Sequence, residues 1–543
     1  MKSASVPARS ADTYDYVIVG AGSAGCILAN CFTREPSATV LLLEAGGSDA
    51  GLRIQMPGAA TSLWGDERVN WGYQSEPEPH CGGRRLPVPR GKLLGGSSAI
   101  NGMFWVRGHP ADYDRWAAAG ASGWSYEDVL PHFRSIESDW RGEDSHHGGN
   151  GPIRTSRCRT DPRVGAPLRA AAQACGFPLS DDHNGAVPEG FGVPDLSVDG
   201  GRRASASRAF LRPALRRRGL KVARHALCQR VLLEQGRAVG VEYRQGGQLR
   251  TARARREVIL CAGAINSPQL LMLSGIGPAA ALHALGIATQ VDLPGVGQNL
   301  QEHCGAGLDF ACASPWAFDS QLRADRFVFS VVRWMLTGTG PVASLPIAAN
   351  AFIRTRPELI SPDIQTIVMT ATPMSRIWFP GLRAPMGHVV SVRNVLLHPQ
   401  SRGSVVLSSP QAEAKPSIRF NFLDEPGDLA TLRRSIRMLR EVFARPELQP
   451  LRAREVRPGP SVQSDEALDA HVRQSLGTFC HPAGTCAMGR SGPAVVDERL
   501  RVRGVERLRV IDASVMPSLP GGNINAPTMM IAAKGAAMVL ADH

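Results

Sequence analysis

The sequence predicts an α/β protein with a discontinuous Rossmann-like domain and a second α+β domain. Two strand-like apolar runs, ending near residues 19 and 260, each lead into a glycine turn and a helix-like segment. A third apolar run at 508–511 precedes the C-terminal helix-like segment, so one parallel sheet draws its strands from distant parts of the chain. Residues 311–470 have their own strand-like and helical patterns, which favour a separate mixed or antiparallel sheet with helices.

The first glycine turn lies in the run Asp15–Gly25, after a buried strand and before a helix. Gly20 permits the sharp turn, and Gly22 lets the backbone approach a pyrophosphate. Gly25 allows the helix to pack closely against the strand. The pattern predicts dinucleotide binding rather than a purely structural turn, and it leaves FAD and NAD(P) as alternatives.

The residues around this turn support the same prediction. Ser23 and Ala24 open the helix, whose free N–H groups and partial positive charge suit phosphates. The next apolar run ends on Glu44 and Ala45, where the acid is placed to accept hydrogen bonds from a ribose. We therefore expect these four residues to contact the cofactor.

Composition excludes several other classes of protein. The 543 residues have a hydrophobic fraction of 43% and a charged fraction of 20%, as in ordinary soluble domains. The net charge of +13 is spread over dispersed arginines without a nucleic-acid motif, so we predict no nucleic-acid partner, although weak attraction to anionic lipids stays open. No apolar run approaches the roughly 20 residues that span a bilayer. Without an export signal, a cytoplasmic location is expected, with contact to the inner membrane as an option.

Cysteine and histidine spacing indicates no metal site. None of the 11 cysteines forms a Cys-x-x-Cys pair, which excludes the usual zinc and redox motifs. The adjacent His146 and His147 point in different directions, so we predict that they bind no metal.

Two further glycine-containing stretches are candidates for contact with a flat or anionic ligand. The first is Gly91–Met103, which includes Gly95 and Ser98 and has apolar residues on both sides. The second follows the strand at 258–260, where Ala262 precedes a glycine turn and Pro268 is expected in the first turn of the next helix.

The second domain contains one ambiguous apolar run. Phe327–Leu336 is consistent with a segment that dips into a membrane, a cover over a pocket, or a buried helix, and we favour the buried helix. Residues 427–444 predict an amphipathic helix with an arginine-rich wet side.

The C-terminal block carries the most reactive residue types. It contains His481 in a His-Pro-Ala-Gly run, a predicted strand at 508–513, and Asn525 just ahead of a helix that opens at Pro527. A helix that starts beside a ligand would direct its positive end towards it. A plain helix cap is the alternative role for Asn525.

At this point the chain resembles the glucose–methanol–choline family of FAD-dependent oxidoreductases, over residues 14–540. Four blocks carry the resemblance: the first turn with Glu44, the segment 91–114, the segment 263–277, and the His481 block with its asparagine-led helix. The resemblance implies FAD rather than NAD(P). It also implies that His481 is the general base beside flavin N5 and that Asn525 donates a hydrogen bond to the forming alkoxide. Further cofactor contacts implied by the resemblance are Asn101, Gly102, Val231, Asp512, Ala513 and Asn523.

Two positions depart from relatives in ways that bear on chemistry. Some relatives bind FAD covalently through a histidine just before the asparagine of the second block, but this chain has Ile100 there, so we predict non-covalent FAD. Choline-acting relatives carry a glutamate in a short Glu-Ala-Gly-Gly-Phe-like run, whereas the comparable stretch here, Ala348–Phe352, has no acid. A quaternary ammonium group would lack its counter-charge, so choline is disfavoured.

The function implied is oxidation of an aliphatic or aromatic primary alcohol to the aldehyde, with O2, a quinone or another carrier as electron acceptor. A lyase on the same flavin scaffold, of the hydroxynitrile lyase or fatty-acid photodecarboxylase type, is the alternative. The oligomeric state, and oxidase against dehydrogenase, are left open. We assign 12–50, 83–120, 200–310 and 471–543 to the FAD-binding domain, and 121–199 and 311–470 to the substrate-binding domain and its cover loops.

Overall fold

The computed structural model describes residues 12–312, 318–372, 375–449, 451, 454–490 and 492–543. Within these ranges two large sheets organise the chain, and each carries its own hydrophobic core. The longer helices are Ser23–Phe32, Pro110–Ala118, Tyr126–Ile136, Pro162–Ala174, Gly263–Leu273, Ala324–Thr337, Pro426–Ala444, Asp465–Ser475 and Asn525–Ala541.

The first sheet contains seven described strands and confirms the predicted α/β class. Five of them form a parallel array, and the apolar ends of three of these strands lead into the glycine turn after Val19, Glu44 after Leu43 and the turn before Gly263 after Leu260. An antiparallel meander over 226–260 extends it on one side. The parallel strands, in spatial order, are Leu220–Ala223, Val40–Leu43, Asp12–Val19, Gln248–Leu260 and Leu508–Val510, and the meander adds Arg237–Gln245 and Ala226–Glu234.

The helices on this sheet come from both ends of the chain. Ser23–Phe32 packs against Asn525–Ala541, which in turn contacts Tyr126–Ile136. The last of these contributes Val129 and Phe133 to the first core, so this part of our 121–199 assignment belongs with the first sheet.

The second sheet contains seven described strands, and all of its pairings are antiparallel. The helix Pro426–Ala444 covers it, with Phe443 stacked on Phe310 at 4.4 Å between ring centroids. Two strands that we assigned to the first domain, Cys304–Ala311 and Gly477–Thr478, belong to this sheet. The strands, in spatial order, are Arg454–Arg457, Cys304–Ala311, Val389–Leu396, Ile364–Met369, Ile347–Ile353 and Gly190–Gly192, with Gly477–Thr478 beside the second of them.

The apolar run at 327–336 is a helix, but it is not the buried helix that we expected. Only Ser330 and Trp334 of Ala324–Thr337 are buried, whereas Phe329 is 68% and Leu336 80% exposed. The sequence misled because apolar side chains occur all around the helix, a pattern typical of full burial. No helix among the described residues is both long and apolar enough to cross a membrane.

Pro268 also lies elsewhere than predicted. The helix Gly263–Leu273 begins five residues earlier, so the proline is internal and leaves the carbonyl of Ala264 without its helical N–H donor. The hydroxyl of Thr485 donates to that carbonyl at 2.6 Å, which satisfies it and ties the helix to the segment after His481.

Candidate active site

One elongated cavity of about 540 Å³ runs along the carboxyl ends of the parallel strands. These strands end at Val19, Leu43, Leu260 and Val510, and the residues that follow them line the cavity. Ligands of open α/β sheets bind at this edge, where the strand order reverses. The opposite wall comes from the second sheet, which contributes Ile367, Met369 and Phe479.

The glycine turn has the close approaches that the sequence predicts. A Cβ atom on Gly25 would lie 1.9 Å from the carbonyl oxygen of Gly20, so the helix can approach the turn only with glycine there. A Cβ on Gly96 would lie 2.7 Å from Cα of Gly22, and Gly96 has a φ of +52°. The two glycine stretches therefore press backbone to backbone at one end of the cavity.

Two buried carboxyl groups mark the strand ends. Glu44 accepts N–H bonds from Ala21 at 3.1 Å and Gly46 at 2.8 Å. Burial raises the pKa of Glu44 to about 7. Asp512 accepts bonds from the N–H of Gly263 at 2.8 Å and the hydroxyl of Ser267 at 2.5 Å. Each acid therefore braces a turn and also faces the cavity.

The structure brings most of the predicted site residues to this cavity. They span the chain from the first turn to the last helix, which explains why the predicted domain is discontinuous. The predicted residues that line it are Gly20, Gly22, Ser23, Ala24, Glu44, Ala45, Asn101, Gly102, Ala262, His481, Asp512, Ala513, Asn523 and Asn525.

Four predicted cofactor contacts do not line the cavity. Gly25 lies behind the turn, and the N–H of Gly95 donates to the carbonyl of Ala21 at 2.7 Å. The hydroxyl of Ser98 donates to the carbonyl of Gly95 and accepts from the N–H of Ala206, so it supports the loop from behind. The N–H of Val231 donates to the hydroxyl of Ser274 at 2.8 Å, so this N–H is not available to a ligand in the cavity.

Their neighbours take the lining positions instead. Gly96 and Ser97 face the cavity in the second block, and Leu227 and Cys228 do so on the strand Ala226–Glu234. In a short turn or a strand, a shift of one residue reverses the side that faces a ligand. The sequence identified the right segments, but it contains no signal for their register.

His481 lines the same cavity as the glycine turn and is only 8% exposed. Its Nδ1 lies 2.9 Å from Nδ1 of His303, and its Nε2 lies 3.2 Å from Nδ2 of Asn523. Burial, together with the positive charges possible on His303 and present on Arg90, holds the pKa of His481 well below its usual 6.5. The imidazole is therefore neutral near neutral pH and can accept a proton.

Glu302 holds the backbone of this histidine. Its carboxyl oxygens accept the N–H of His481 at 2.8 and 2.9 Å. Burial raises the pKa of Glu302 to about 8, although Arg90 lies close enough to oppose that rise. Glu302 and His303 are functional residues that sequence inspection missed, and their signal was the polar Gln-Glu-His run at 301–303, directly before an apolar strand.

The asparagine beside His481 is Asn523, not the predicted partner Asn525. Asn525 is the first residue of the last helix, and its side-chain oxygen accepts the hydroxyl hydrogen bond of Ser23 at 2.8 Å. It therefore lines the cavity while connecting the first and last helices. Two asparagines separated by one residue cannot be told apart from sequence, because the bend before the helix decides which one faces the histidine.

The cavity has aromatic and basic lining residues. They are Trp64, Trp71, Phe104, Phe479, Arg90, Arg393 and Arg457, and Arg90 donates to the carbonyl of Cys480, next to His481. Among the described lining residues the carboxylates are Glu44 and Asp512, and both belong to the strand ends. Ala348, at the comparable start of the acid-bearing run in choline-acting relatives, is buried in the strand Ile347–Ile353.

Comparisons with known proteins agree with this geometry. Family models of GMC oxidoreductases match residues 14–305 with their N-terminal part and 399–532 with their C-terminal part. An oxygen-dependent choline dehydrogenase of Photobacterium profundum is 43% identical over 98% of this chain and 93% of its own. The crystal structure of pyridoxine 4-oxidase from Mesorbium loti has a TM-score of 0.88 at 31% identity, covering 98% of this chain and 100% of that one. A formate oxidase of Aspergillus oryzae RIB40, studied for its FAD modification, has a TM-score of 0.90 at 27% identity, with 99% of both chains covered.

The cofactor is FAD, and the residues present fit it. The close backbone contact of Gly22 and Gly96 leaves the helix N-terminus at Ser23 facing the cavity, as a pyrophosphate requires. Glu44, at the end of its strand, would accept hydrogen bonds from a ribose of the cofactor, and His481 would serve the flavin ring. Ile100 lines the cavity without any side-chain nucleophile, so no covalent bond to the cofactor can form at that position.

Proposed function

Because the chain belongs to the GMC family of FAD-dependent oxidoreductases, which act on CH–OH groups, we propose that it oxidises a primary alcohol to the aldehyde with His481 as general base. The observation that carries this proposal is the buried imidazole of His481, whose Nε2 lies beside the amide of Asn523 at the cavity, and burial lowers its pKa so that it can act as a base. A base of this kind has to be unprotonated and within hydrogen-bond reach of the hydroxyl.

FAD supplies the hydride acceptor when bound. His481 takes the hydroxyl proton on Nε2 as the C–H bond breaks and the C=O bond forms, so a proton and a hydride leave the alcohol together. Asn523 donates its amide N–H to the substrate oxygen and stabilises the alkoxide character that develops there. The buried walls around His481 keep bulk water from competing for these hydrogen bonds.

For the substrate class, we propose a neutral aliphatic or aromatic alcohol. The cavity has aromatic and basic lining residues, and Ala348 provides no carboxylate for a cationic substrate. Choline is the second candidate, for two reasons. Similar proteins are named choline dehydrogenases, and the aromatic side chains of Trp64, Trp71, Phe104 and Phe479 are of the kind that bind quaternary ammonium groups.

An anaerobic panel of alcohols, followed by flavin absorbance, tests this proposal. Choline and its neutral isostere 3,3-dimethylbutan-1-ol form the deciding pair, because they share a shape and differ in charge. Benzyl alcohol and pyridoxine extend the panel to aromatic alcohols. We expect faster bleaching with the neutral isostere, and faster bleaching with choline would assign the protein to the second candidate.

The control for this panel is the His481→Ala holoprotein, which should stay yellow and bleach at least ~10²-fold more slowly, within the range that a general base contributes. Bleaching of this variant at the wild-type rate would refute the assigned role of His481. The relatives reported above are named dehydrogenases or oxidases, which favours oxidation over the lyase alternative. Release of cyanide from a cyanohydrin without any bleaching would support the lyase.

The electron acceptor is part of the same experiment. We propose O2 or a quinone-type carrier, and the name of the Photobacterium relative favours O2. Admitting air to the reduced protein separates the two: re-oxidation within the turnover time supports O2, and slow re-oxidation that a soluble quinone accelerates supports a carrier.

We also propose that the helix Ala324–Thr337 touches an anionic lipid surface on the cytoplasmic side of a membrane. Its exposed apolar face consists of Val328, Phe329, Val332, Met335 and Leu336. The segment 375–386 lies against its start, since Trp378 N–H donates to the carbonyl of Leu322 at 3.1 Å, and it exposes Leu382 as well. Residues 326–357 and 364–396 contain arginines but no aspartate or glutamate. An apolar face with basic surroundings suits an anionic interface.

Co-sedimentation with vesicles tests this contact. Wild-type protein should bind vesicles of 30% anionic lipid and release them at high salt, and the double variant Phe329→Ser, Leu336→Ser should bind at least ~10-fold more weakly. Leu249→Ser is the matched control, because Leu249 is 54% exposed on a hairpin of the first sheet. Equal binding by the double variant would disprove the contact.

A further inference from the structure

We propose that His303 is a positioning residue that keeps the proton of His481 on Nδ1, so that the Nε2 lone pair faces the cavity. This inference rests on the proposed role of His481 as general base. It is carried by a chain of hydrogen bonds that crosses the junction between the two sheets, from a backbone carbonyl through both histidines to an asparagine and a glutamine.

The bond between the carbonyl of Leu397 and His303 decides which atom donates in each of the following hydrogen bonds. Nε2 of His303 lies 2.9 Å from the carbonyl oxygen of Leu397, and a carbonyl can only accept a hydrogen bond. His303 is 0% exposed, and both of its ring nitrogens have partners in the protein. Nε2 of His303 therefore carries a hydrogen.

Because His303 is neutral, the hydrogen on its Nε2 leaves its Nδ1 as the acceptor that faces His481. Burial lowers the pKa of His303 to about 3, and His398 adds to the effect. The other charged groups near the pair are Arg90, which opposes protonation of His481, and Glu302, which binds the backbone of His481. A neutral imidazole with a hydrogen on Nε2 has a lone pair on Nδ1.

The two Nδ1 atoms then have complementary roles. They lie 2.9 Å apart, and one of two ring nitrogens at that distance has to donate. Because His303 accepts, His481 carries its hydrogen on Nδ1. Since His481 is itself neutral, its Nε2 is left as an acceptor on the side of the cavity.

The far side of His481 is compatible with this assignment. An accepting Nε2 requires Asn523 to present its amide N–H, so the amide oxygen of Asn523 has to face a donor. Nε2 of Gln365 donates to that oxygen at 3.2 Å and also to the side-chain oxygen of Asn350 at 2.9 Å. The carbonyl of Leu397 therefore sets the tautomer, and the amides at the other end fit it.

The opposite tautomer would make His481 a poor base. With its hydrogen on Nε2, the ring would present a donor to the substrate hydroxyl and could not take its proton. Removing the acceptor at His303 leaves the Nδ1 hydrogen of His481 buried without a partner, and the ring gains access to that unproductive form. Loss of the correct tautomer is known to disable histidine bases in other enzymes.

Three variants of the holoenzyme separate positioning from structural support. His303→Leu removes the acceptor while keeping the volume, and we expect kcat to fall ~10- to ~1,000-fold with a smaller change in KM. His303→Asn places an amide oxygen near the lost Nδ1, so it should recover most of that loss. His471→Leu is the matched control, because His471 also bonds a backbone carbonyl, that of Gly307 at 3.0 Å, without touching His481.

The decisive readout is the tautomer itself, measured by NMR of protein with ¹⁵N-labelled histidine rings. The His481 signals are identified by their loss in His481→Gln. We expect wild-type His481 to be protonated on Nδ1, and His303→Leu to show protonation on Nε2 as well. This measurement does not depend on any alcohol being oxidised, so it distinguishes failure of this inference from failure of the proposed function.

Two results would overturn the inference. One is a wild-type His481 with its hydrogen on Nε2, which can be observed even if the leucine variant does not fold. The other is a folded His303→Leu holoenzyme whose kcat and pH profile match those of wild type.

Discussion

His481 combines burial with neutrality, which is what a base needs in order to work at low pH. Burial lowers its pKa well below 6.5, so the ring stays unprotonated at a pH where an ordinary histidine is half charged. No neighbouring carboxylate opposes this shift on the ring nitrogens, because His303 and Asn523 occupy both of them. The loss of activity at low pH should therefore follow the lowered pKa of His481.

We expect the acid limb of kcat/KM to lie below pH 6.5. The pKa is lowered, so the base is competent above its own pKa and loses activity only as pH falls through that lower value. Stopped-flow flavin reduction from pH 4.5 to 9 measures the limb. A limb above pH 6.5 would contradict the burial of His481. The variant Glu302→Gln should keep the limb and remove any inflection near pH 8, where Glu302 ionises.

The two asparagines beside this histidine have different predicted effects. Asn523→Ala removes the amide that faces the substrate oxygen, and we expect kcat to fall ~10²-fold, as for other donors to a developing oxyanion. Asn525→Ala removes the acceptor for Ser23 instead, so it should mainly weaken FAD binding. Steady-state kinetics with saturating FAD distinguish them, and a larger kcat defect in Asn525→Ala would restore the assignment made from sequence.

At the scale of single elements, two glycines of the turn and helix at 20–32 are required for different reasons. One leaves space for the cofactor, and the other allows the helix to pack against the turn. A Cβ on Gly22 would have 3.9 Å to its nearest protein neighbour, the carbonyl of Cys261, so the protein alone has room for it. A Cβ on Gly25 would overlap the carbonyl of Gly20. An alanine substitution therefore tests cofactor binding at Gly22 and folding at Gly25.

We expect Gly22→Ala to fold with a near-wild-type melting temperature in the absence of FAD and to bind FAD at least ~10-fold more weakly, because the methyl group enters the space of the pyrophosphate. Gly25→Ala should fail to accumulate as folded protein. Fluorescence titration with FAD and circular dichroism make the comparison. Tight FAD binding by Gly22→Ala would place the phosphates elsewhere.

Sequence predicted those features that follow from local pattern. The strand ends, the glycine turn and Glu44 follow from apolar runs that lead into small or acidic residues, whereas Asp512 and His481 were implied by the resemblance to the GMC family. The sequence could not show which residue of each segment faces the cavity. Ser97 rather than Ser98 and Cys228 rather than Val231 line it, and Asn523 rather than Asn525 contacts the ring of His481. Each of these differences is a shift of one to three residues, which tertiary packing decides.

At the scale of the whole molecule, the active site lies between the two large sheets and takes residues from both. The glycine turn belongs to the first sheet, whereas His481 follows the strand Gly477–Thr478 and His303 precedes Cys304–Ala311, both in the second sheet. Residues of both halves line the one cavity that would hold FAD. The cofactor therefore contributes to stability as well as to chemistry.

Removal of FAD should lower the melting temperature of the protein. A ligand that binds only the folded state stabilises it by about 2.7 kcal/mol at 100 times its Kd. Scanning calorimetry of holoprotein and deflavoprotein measures the difference, and re-addition of FAD should restore it. Gly22→Ala serves as a control, since its melting temperature should respond to FAD only at higher concentration. Identical transitions with and without FAD would contradict the bridging role.

The hydrogen bond between Ser23 and Asn525 joins residues 502 positions apart in the chain. Synthesis at about 5–20 residues per second takes on the order of 30–110 s for 543 residues. For most of that time the first helix has been made while its partner, Asn525–Ala541, has not. A nascent chain that has not yet reached residue 541 thus lacks one wall of the flavin cavity, so we expect stable FAD binding only after this helix has emerged and folded.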